Sequence, residues 1–308
     1  MIGRAARNLM KQLWQRGFEL GQRVGVNITP NHFYSDIPDF RELRRETRWR
    51  RGHSMVGIAG APLEGQWEFV ESCCRPLAER LSRGGVHAEA VREHGEMGYG
   101  QGDAAFLHAF VVRHRPPRIV QVGCGVSTFV MLRAAKEAGY TPEVLCVEPF
   151  PGESLRRAER EGKIKLLVEK AQYVAPERLA GVGEGGLLFV DSTHALRPAS
   201  DVAWVILEAL PRLSRGSWAH FHDISFPYDY HPRMLWKFAL FFPHETTVLQ
   251  AFLCGNERFE IAASLAMLNN TDSARLAGLL KDYHPAKVRD GLYESEGDFA
   301  SAAYLRVR

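Results

Sequence analysis

Short apolar runs recur along the chain from Pro117 onward, at 118–123 (RIVQVG), 143–149 (EVLCVEP), 164–170 (IKLLVEK), 186–192 (GLLFVDS) and 217–223 (SWAHFHD). Between them lie segments whose apolar positions return every three or four residues, such as 127–139 (STFVMLRAAKEAG) and 201–213 (DVAWVILEALPRL). Short strands alternating with amphipathic helices predict right-handed βαβ units and a parallel sheet. Two later strands are predicted at 258–268 (RFEIAASLAML) and 300–307 (ASAAYLRV), with a helix around Ser273–Tyr283 between them. The expected fold is therefore α/β: a Rossmann-like, seven-stranded, mostly parallel sheet with helices on both faces, its last strand antiparallel at an edge.

Residues 1–95 have a different pattern. Helical periods there are broken by Pro30, Pro38 and Pro62, and no βαβ unit is complete. The expected organisation is a helical N-terminal extension over 1–95, packed beside the ligand cleft, followed by the sheet domain over 96–308.

Composition narrows the class. The chain has 308 residues, 45% hydrophobic and 24% charged, which suits a globular protein with a sizeable core. A net charge of +3 gives no reason to expect nucleic acid as a partner. The basic run 41–51 (RELRRETRWRR) reads as a solvated helix face before it reads as a patch for an anionic partner. Residues 1–26 are basic and amphipathic, without the continuous apolar stretch of a signal peptide. They fit a helix packed on its own domain or on a partner chain, a homo-oligomer included, more readily than one lying on an anionic membrane surface. Five cysteines without metal-type spacing suit a reducing compartment, and the expected location is cytoplasmic.

The first strand runs into Gly123-Cys124-Gly125-Val126-Ser127-Thr128. In a parallel sheet this turn borders the ligand crevice, and its glycines let the backbone approach a ligand closely. A dinucleotide fingerprint would place a third glycine at Thr128, and a P-loop would end in Gly-Lys-Ser/Thr; neither is present. Pyrophosphate and triphosphate are thus disfavoured. Glu148 closes the second strand roughly 20 residues on, where a carboxylate accepts from both ribose hydroxyls of an adenosine. Adenosine without pyrophosphate points to S-adenosylmethionine. The competing readings are an NAD- or nucleotide-sugar-dependent enzyme on a similar sheet, and a non-catalytic cofactor-binding protein.

VQVGCGVST and CVEP resemble the first two motifs of class I S-adenosylmethionine-dependent methyltransferases. LLFVDSTH, GSWAHFHDISFPYDY, HFYSDIPD and YGQGDAAFLHAFVVRH are similar to a bacterial branch that acts on small molecules, and the likeness spans about 32–265. It implies a transferase in which Gln121, Gly123, Gly125, Ser127, Thr128, Glu148, Asp191 and Tyr99 bind the cofactor. Gln121 stands where that family usually carries an acid that holds the cofactor's amino end.

Asp191 and His194 follow the fourth strand, and His220, His222 and Asp223 lie at the end of the fifth. Adjacent parallel strands would bring these ends together. The spacing resembles that of catechol-type, metal-dependent O-methyltransferases, except that His222 replaces a carboxylate. The expected site has His194 as base and Asp191, His222 and Asp223 as ligands of a divalent ion (magnesium, manganese, iron or zinc), or else Asp191 and Asp223 orienting the histidines. The reaction expected is methylation of a hydroxyl on a small molecule. The aromatic, proline-containing stretch 225–236 (SFPYDYHPRMLW) is expected to face the substrate.

Overall fold

The computed structural model describes residues 4–30, 33–35, 37–229, 243–287, 293–294 and 299–308. It comprises two compact units, Met1–Trp49 and Arg50–Arg308. The first holds helices α1 (Arg4–Arg23) and α2 (Phe40–Arg45), the latter capped by the Asp39 carboxylate, which accepts from the Arg41 backbone N–H.

The second unit begins with helices α3 (Leu63–Cys74), α4 (Ala78–Ser82), α5 (Val86–His94) and α6 (Gln101–His114). Residues 50–95, read from the sequence as part of the extension, thus lie in the same compact unit as the sheet. Trp67 and Val70 of α3 and Ala90 of α5 share a buried cluster with Phe106 and Phe110 of α6.

Strands β1 (Arg118–Val122), β2 (Glu143–Val147), β3 (Lys165–Leu167), β4 (Leu187–Val190), β5 (Trp218–Phe221), β6 (Phe259–Ser264) and β9 (Ala303–Val307) form one sheet in the order β3-β2-β1-β4-β5-β9-β6. β1 to β5 pair in parallel, and β9 is antiparallel to both β5 and β6. The last strand is therefore antiparallel, as expected, but interior rather than at an edge. Its Ala303–Leu305 are continuously buried, the mark of a strand covered on both faces, whereas β6 alternates buried and half-buried residues as an edge does. The short strands β7 (Ala286–Lys287) and β8 (Tyr293–Glu294) pair separately.

Helices α7 (Val126–Glu137), α8 (Glu153–Arg160), α9 (Pro176–Ala180) and α10 (Asp201–Trp204) follow β1, β2, β3 and β4. Alternation along the strands divides the core in two. Ile119, Phe189 and Tyr304 face one layer with α6 and α7; Val120, Leu188 and Phe221 face the other. The helix predicted at 201–213 is α10 followed by a π turn, Val205–Ala209, and a 3₁₀ turn, Leu210–Arg212, that carries Pro211. α11 (Glu245–Leu253) and α12 (Leu265–Leu279) complete the unit. The Ser264 hydroxyl accepts from the Met267 N–H and so starts α12 eight residues before the expected helix. That cap is why the strand predicted over 258–268 stops at Ser264.

Candidate active site

The order of the strands reverses between β1 and β4, which opens a crevice beyond their carboxyl ends. Gly123 holds the two ends together. Its φ is +78°, and a Cβ there would lie 1.7 Å from the carbonyl oxygen of Asp191. Only glycine permits this approach. Gly125, with extended backbone, opens α7.

Behind the turn, Gln121 is fully buried and serves as its brace. Its Nε2 donates to the Gly123 carbonyl (3.0 Å) and to Ser127 Oγ (2.9 Å), and its Oε1 accepts from Thr128 Oγ1 (2.9 Å). A carboxylate could not donate to the Gly123 carbonyl. The amide at this position is therefore matched to its surroundings, and Gln121, Ser127 and Thr128 spend these polar atoms within the turn.

In front of the turn is a cavity of about 360 Å³, lined by Gly123, Glu148, Phe150, Asp191, Thr193 and Asp201 among others. Glu148 Oε2 accepts from the Cys124 N–H (3.1 Å) and Oε1 from the Phe150 N–H (2.9 Å). Each oxygen keeps acceptor capacity toward the cavity. Asp201 fixes the opposite wall, accepting from the Thr193 N–H (3.0 Å) and from Thr193 Oγ1 (2.6 Å).

Next to the cavity, the ends of β4 and β5 bring together the four ionisable residues singled out from the sequence. His194 Nε2 is 3.4 Å from Asp191 Oδ1 and 3.6 Å from Asp223 Oδ2. His222 Nδ1 is 3.4 Å from Asp191 Oδ1 and 3.6 Å from Asp223 Oδ1. Each imidazole is held from behind by a third carboxylate. His194 Nδ1 donates to Glu245 Oε2 (2.7 Å), and His222 Nε2 donates to Asp103 Oδ2 (3.2 Å). Glu245 and Asp103 are almost wholly buried, so the imidazoles are what balances their charge. Asp103 also accepts from the Ser301 and Ala302 backbone N–H groups.

The first turn of α11 ties these loops together. The His194 carbonyl accepts from the His244 and Glu245 N–H groups, and Thr246 Oγ1 accepts from the Ser225 N–H. His194 and Asp223 both have φ of +56°. That region costs a non-glycine residue about 1–3 kcal/mol, and here the surrounding bonds hold it.

Electrostatics follow from this geometry. Burial would lower both imidazoles, yet the carboxylates facing them push His194 and His222 well above their ordinary value. Burial would raise Asp191, yet His222 and His194 hold it well below the carboxylate range. Burial raises Glu245. His220 lies beneath, fully buried and stacked 4.1 Å from Phe189, and accepts from the Tyr99 hydroxyl (3.0 Å). Burial and the neighbouring His222 charge push it low. Tyr99, expected at the cofactor, lays its ring 4.5 Å from that of His222.

Asp191, His194 and Asp223 each offer a ligand atom, all within 4.8 Å of one another. Ligands at about 2.0–2.1 Å from a tetrahedral ion lie about 3.4 Å apart, so the spacing and the mixed oxygen and nitrogen donors fit a divalent transition metal. His222, expected as a ligand, lies beside this group with Nδ1 facing both Asp191 and Asp223. Of the stretch 225–236, Tyr230–Trp236 lies outside the described residues.

Residues 120–224 match the family profile of a methyltransferase domain. Over this segment the chain carries a methyltransferase domain. The match takes in the turn, Glu148 and the ends of β4 and β5, while Asp103 and Glu245 fall outside it. An uncharacterized protein of Archaeoglobus fulgidus is 28% identical over 149 residues, 46% of this chain and 67% of that one. Among solved structures, cofactor-bound Rv0187 from MTB is similar at 16% identity and a TM-score of 0.45, covering 72% of this chain and 89% of that one. The SAH-bound Podospora anserina methyltransferase PaMTH1 is similar at 16% identity and a TM-score of 0.42, with 89% and 99% covered.

Asp103 and Glu245 were missed in the sequence because each depends on a distant partner. The available signal was an acidic residue set in an apolar stretch, as in DAAFLHAF.

Proposed function

We propose that the chain transfers a methyl group from S-adenosylmethionine to a hydroxyl of a small molecule, with the adenosine in the cavity and the reacting methyl at the Asp191–His194–Asp223 cluster. One observation carries this reading: Asp191 belongs both to the cavity wall and to the cluster, so a ligand in the cavity ends beside the base. Glu148 takes the ribose hydroxyls on the free lone pairs of its two oxygens. Gly123 and Gly125 let the cofactor approach the backbone, and Gln121, Ser127 and Thr128 keep the turn in shape.

His194 is the base. Glu245 fixes its tautomer with the proton on Nδ1 and Nε2 facing the cavity side. The carboxylates facing Nε2 favour its protonated form, and a second positive charge nearby opposes it. With the cofactor's sulfonium beside it, Nε2 releases its proton to solvent and His194 is left neutral. It then takes the hydroxyl proton at Nε2 as the acceptor oxygen bonds to the methyl carbon and the carbon–sulfur bond breaks. Asp191 and Asp223 offset the resulting imidazolium. Asp191, His194 Nε2 and Asp223 would alternatively hold a divalent ion, which would lower the hydroxyl's pKa in place of the base. All five cysteines are free, in keeping with a cytoplasmic setting.

The test is methyl transfer from radiolabelled S-adenosylmethionine to a panel of catechols, sugars and amino sugars. Labelled ether products that disappear in His194→Ala support the reading; products labelled only on nitrogen or carbon would overturn the hydroxyl assignment.

A further inference from the structure

We propose that α1 lies on an anionic lipid surface, with its apolar stripe in the headgroup boundary. Leu9, Met10, Leu13, Trp14 and Leu20 are 58%, 51%, 58%, 49% and 63% exposed, an unusual state for five large apolar residues on one helix. At 100° per residue they fall within an arc of about 140°, with Gly17 and Gly21 on the same side. The stripe continues past the helix, where Val24, Val26 and Ile28 are also exposed.

Charge selects the occupant. α1 contains Arg4, Arg7, Lys11, Arg16 and Arg23 against the single acid Glu19. Arg16 and Arg23 flank one edge of the stripe and Lys11 the other, where long basic side chains reach headgroup phosphates while their stems cover apolar surface. Glu19 is on the far side, bonded to Gln15. A second copy of this helix would set cations against cations at the positions where paired helices need opposite charges. An anionic surface removes that conflict. Each cation adds to the attraction, which extends over about one Debye length. This inference does not depend on the transferase reading.

The experiment is sedimentation of the full chain with vesicles of mixed phosphatidylglycerol and phosphatidylcholine, or of phosphatidylcholine alone. The protein is expected to pellet with the mixed vesicles, to stay in solution with the neutral ones, and to be released by high salt. Leu13→Glu, a change on an exposed helix face, should weaken binding about tenfold or more with unchanged far-UV circular dichroism, and Lys11→Glu/Arg16→Glu should also weaken it. Gln12→Ala should bind normally. Equal pelleting of Leu13→Glu would overturn the proposal. So would a wild-type dimer that ignores vesicles and becomes monomeric on Leu13→Glu, since the stripe would then belong to a second copy.

Discussion

Two ends of one sheet hold histidines in opposite states. Beyond the carboxyl ends of β4 and β5, His194 and His222 sit among Asp191, Asp223, Glu245 and Asp103, and their pKa values are raised. At the opposite end, His114 of α6 packs 5.5 Å from Phe69, 4.7 Å from Phe110 and 4.7 Å from Trp218, the first residue of β5. There, burial and the charges of Arg113 and Arg306 lower it to about 4. His220, midway along the sheet, is also pushed low by its burial against aromatic rings. Burial, aided by neighbouring positive charge, therefore drives these imidazoles toward their neutral form. What sets the carboxyl end apart is three carboxylates against each histidine, an arrangement that costs stability unless every charge is matched.

The comparison is broken most directly at His194. His194→Ala should lower turnover by about 10²–10⁴ while cofactor affinity stays near wild type; His114→Gln should leave turnover unchanged. Equal losses in both variants would mean that the two ends do not differ in role. The next largest effect is expected at Gly123→Ala. A Cβ there meets the Asp191 carbonyl, and a strained φ adds to the clash, so thermal unfolding should show a loss of about 3 kcal/mol or more.

pH sharpens the contrast. His114 has a folded pKa of about 4 against an unfolded value near 6.5, so the native state binds fewer protons. Its contribution is complete above about pH 6.5 and is lost as pH falls toward 4. His114→Phe should flatten that acid limb, by about 1–2 kcal/mol once water access to the half-buried ring is allowed for. His194 and His222 have the opposite sign. Their contribution in chelated protein is present below about pH 6.5 and is lost as pH rises through their raised values. The melting temperature of chelated protein should therefore fall on the alkaline side, and less steeply in His194→Gln.

Much of the fold was legible because apolar runs mark buried strands whatever their partners. The place of β9 was not legible, since its insertion between β5 and β6 is decided by pairing with strands far away in the chain. Ser264 shows a local failure of the same kind: a cap hydrogen bond ended a strand that hydrophobicity alone would have continued. At the site, Asp191, His194, His222 and Asp223 were readable from strand-end spacing. Glu245 lies 51 residues from His194, and Asp103 lies 119 residues from His222, so neither could be paired from sequence. Gln121 looked like a departure from the family pattern. The amide is accounted for by the Gly123 carbonyl it donates to.

The smallest effect is expected at Glu148, and it bears most directly on the central claim that the cavity holds S-adenosylmethionine. Isothermal titration calorimetry with S-adenosylmethionine and NAD in parallel, on wild type and Glu148→Ala, measures it without knowledge of the acceptor. Wild type should bind S-adenosylmethionine and not NAD, and Glu148→Ala should bind it about tenfold more weakly, having lost charge-assisted hydrogen bonds of roughly 1.5–3 kcal/mol. Binding of NAD by the wild type, or equal S-adenosylmethionine affinity in both proteins, would contradict the account.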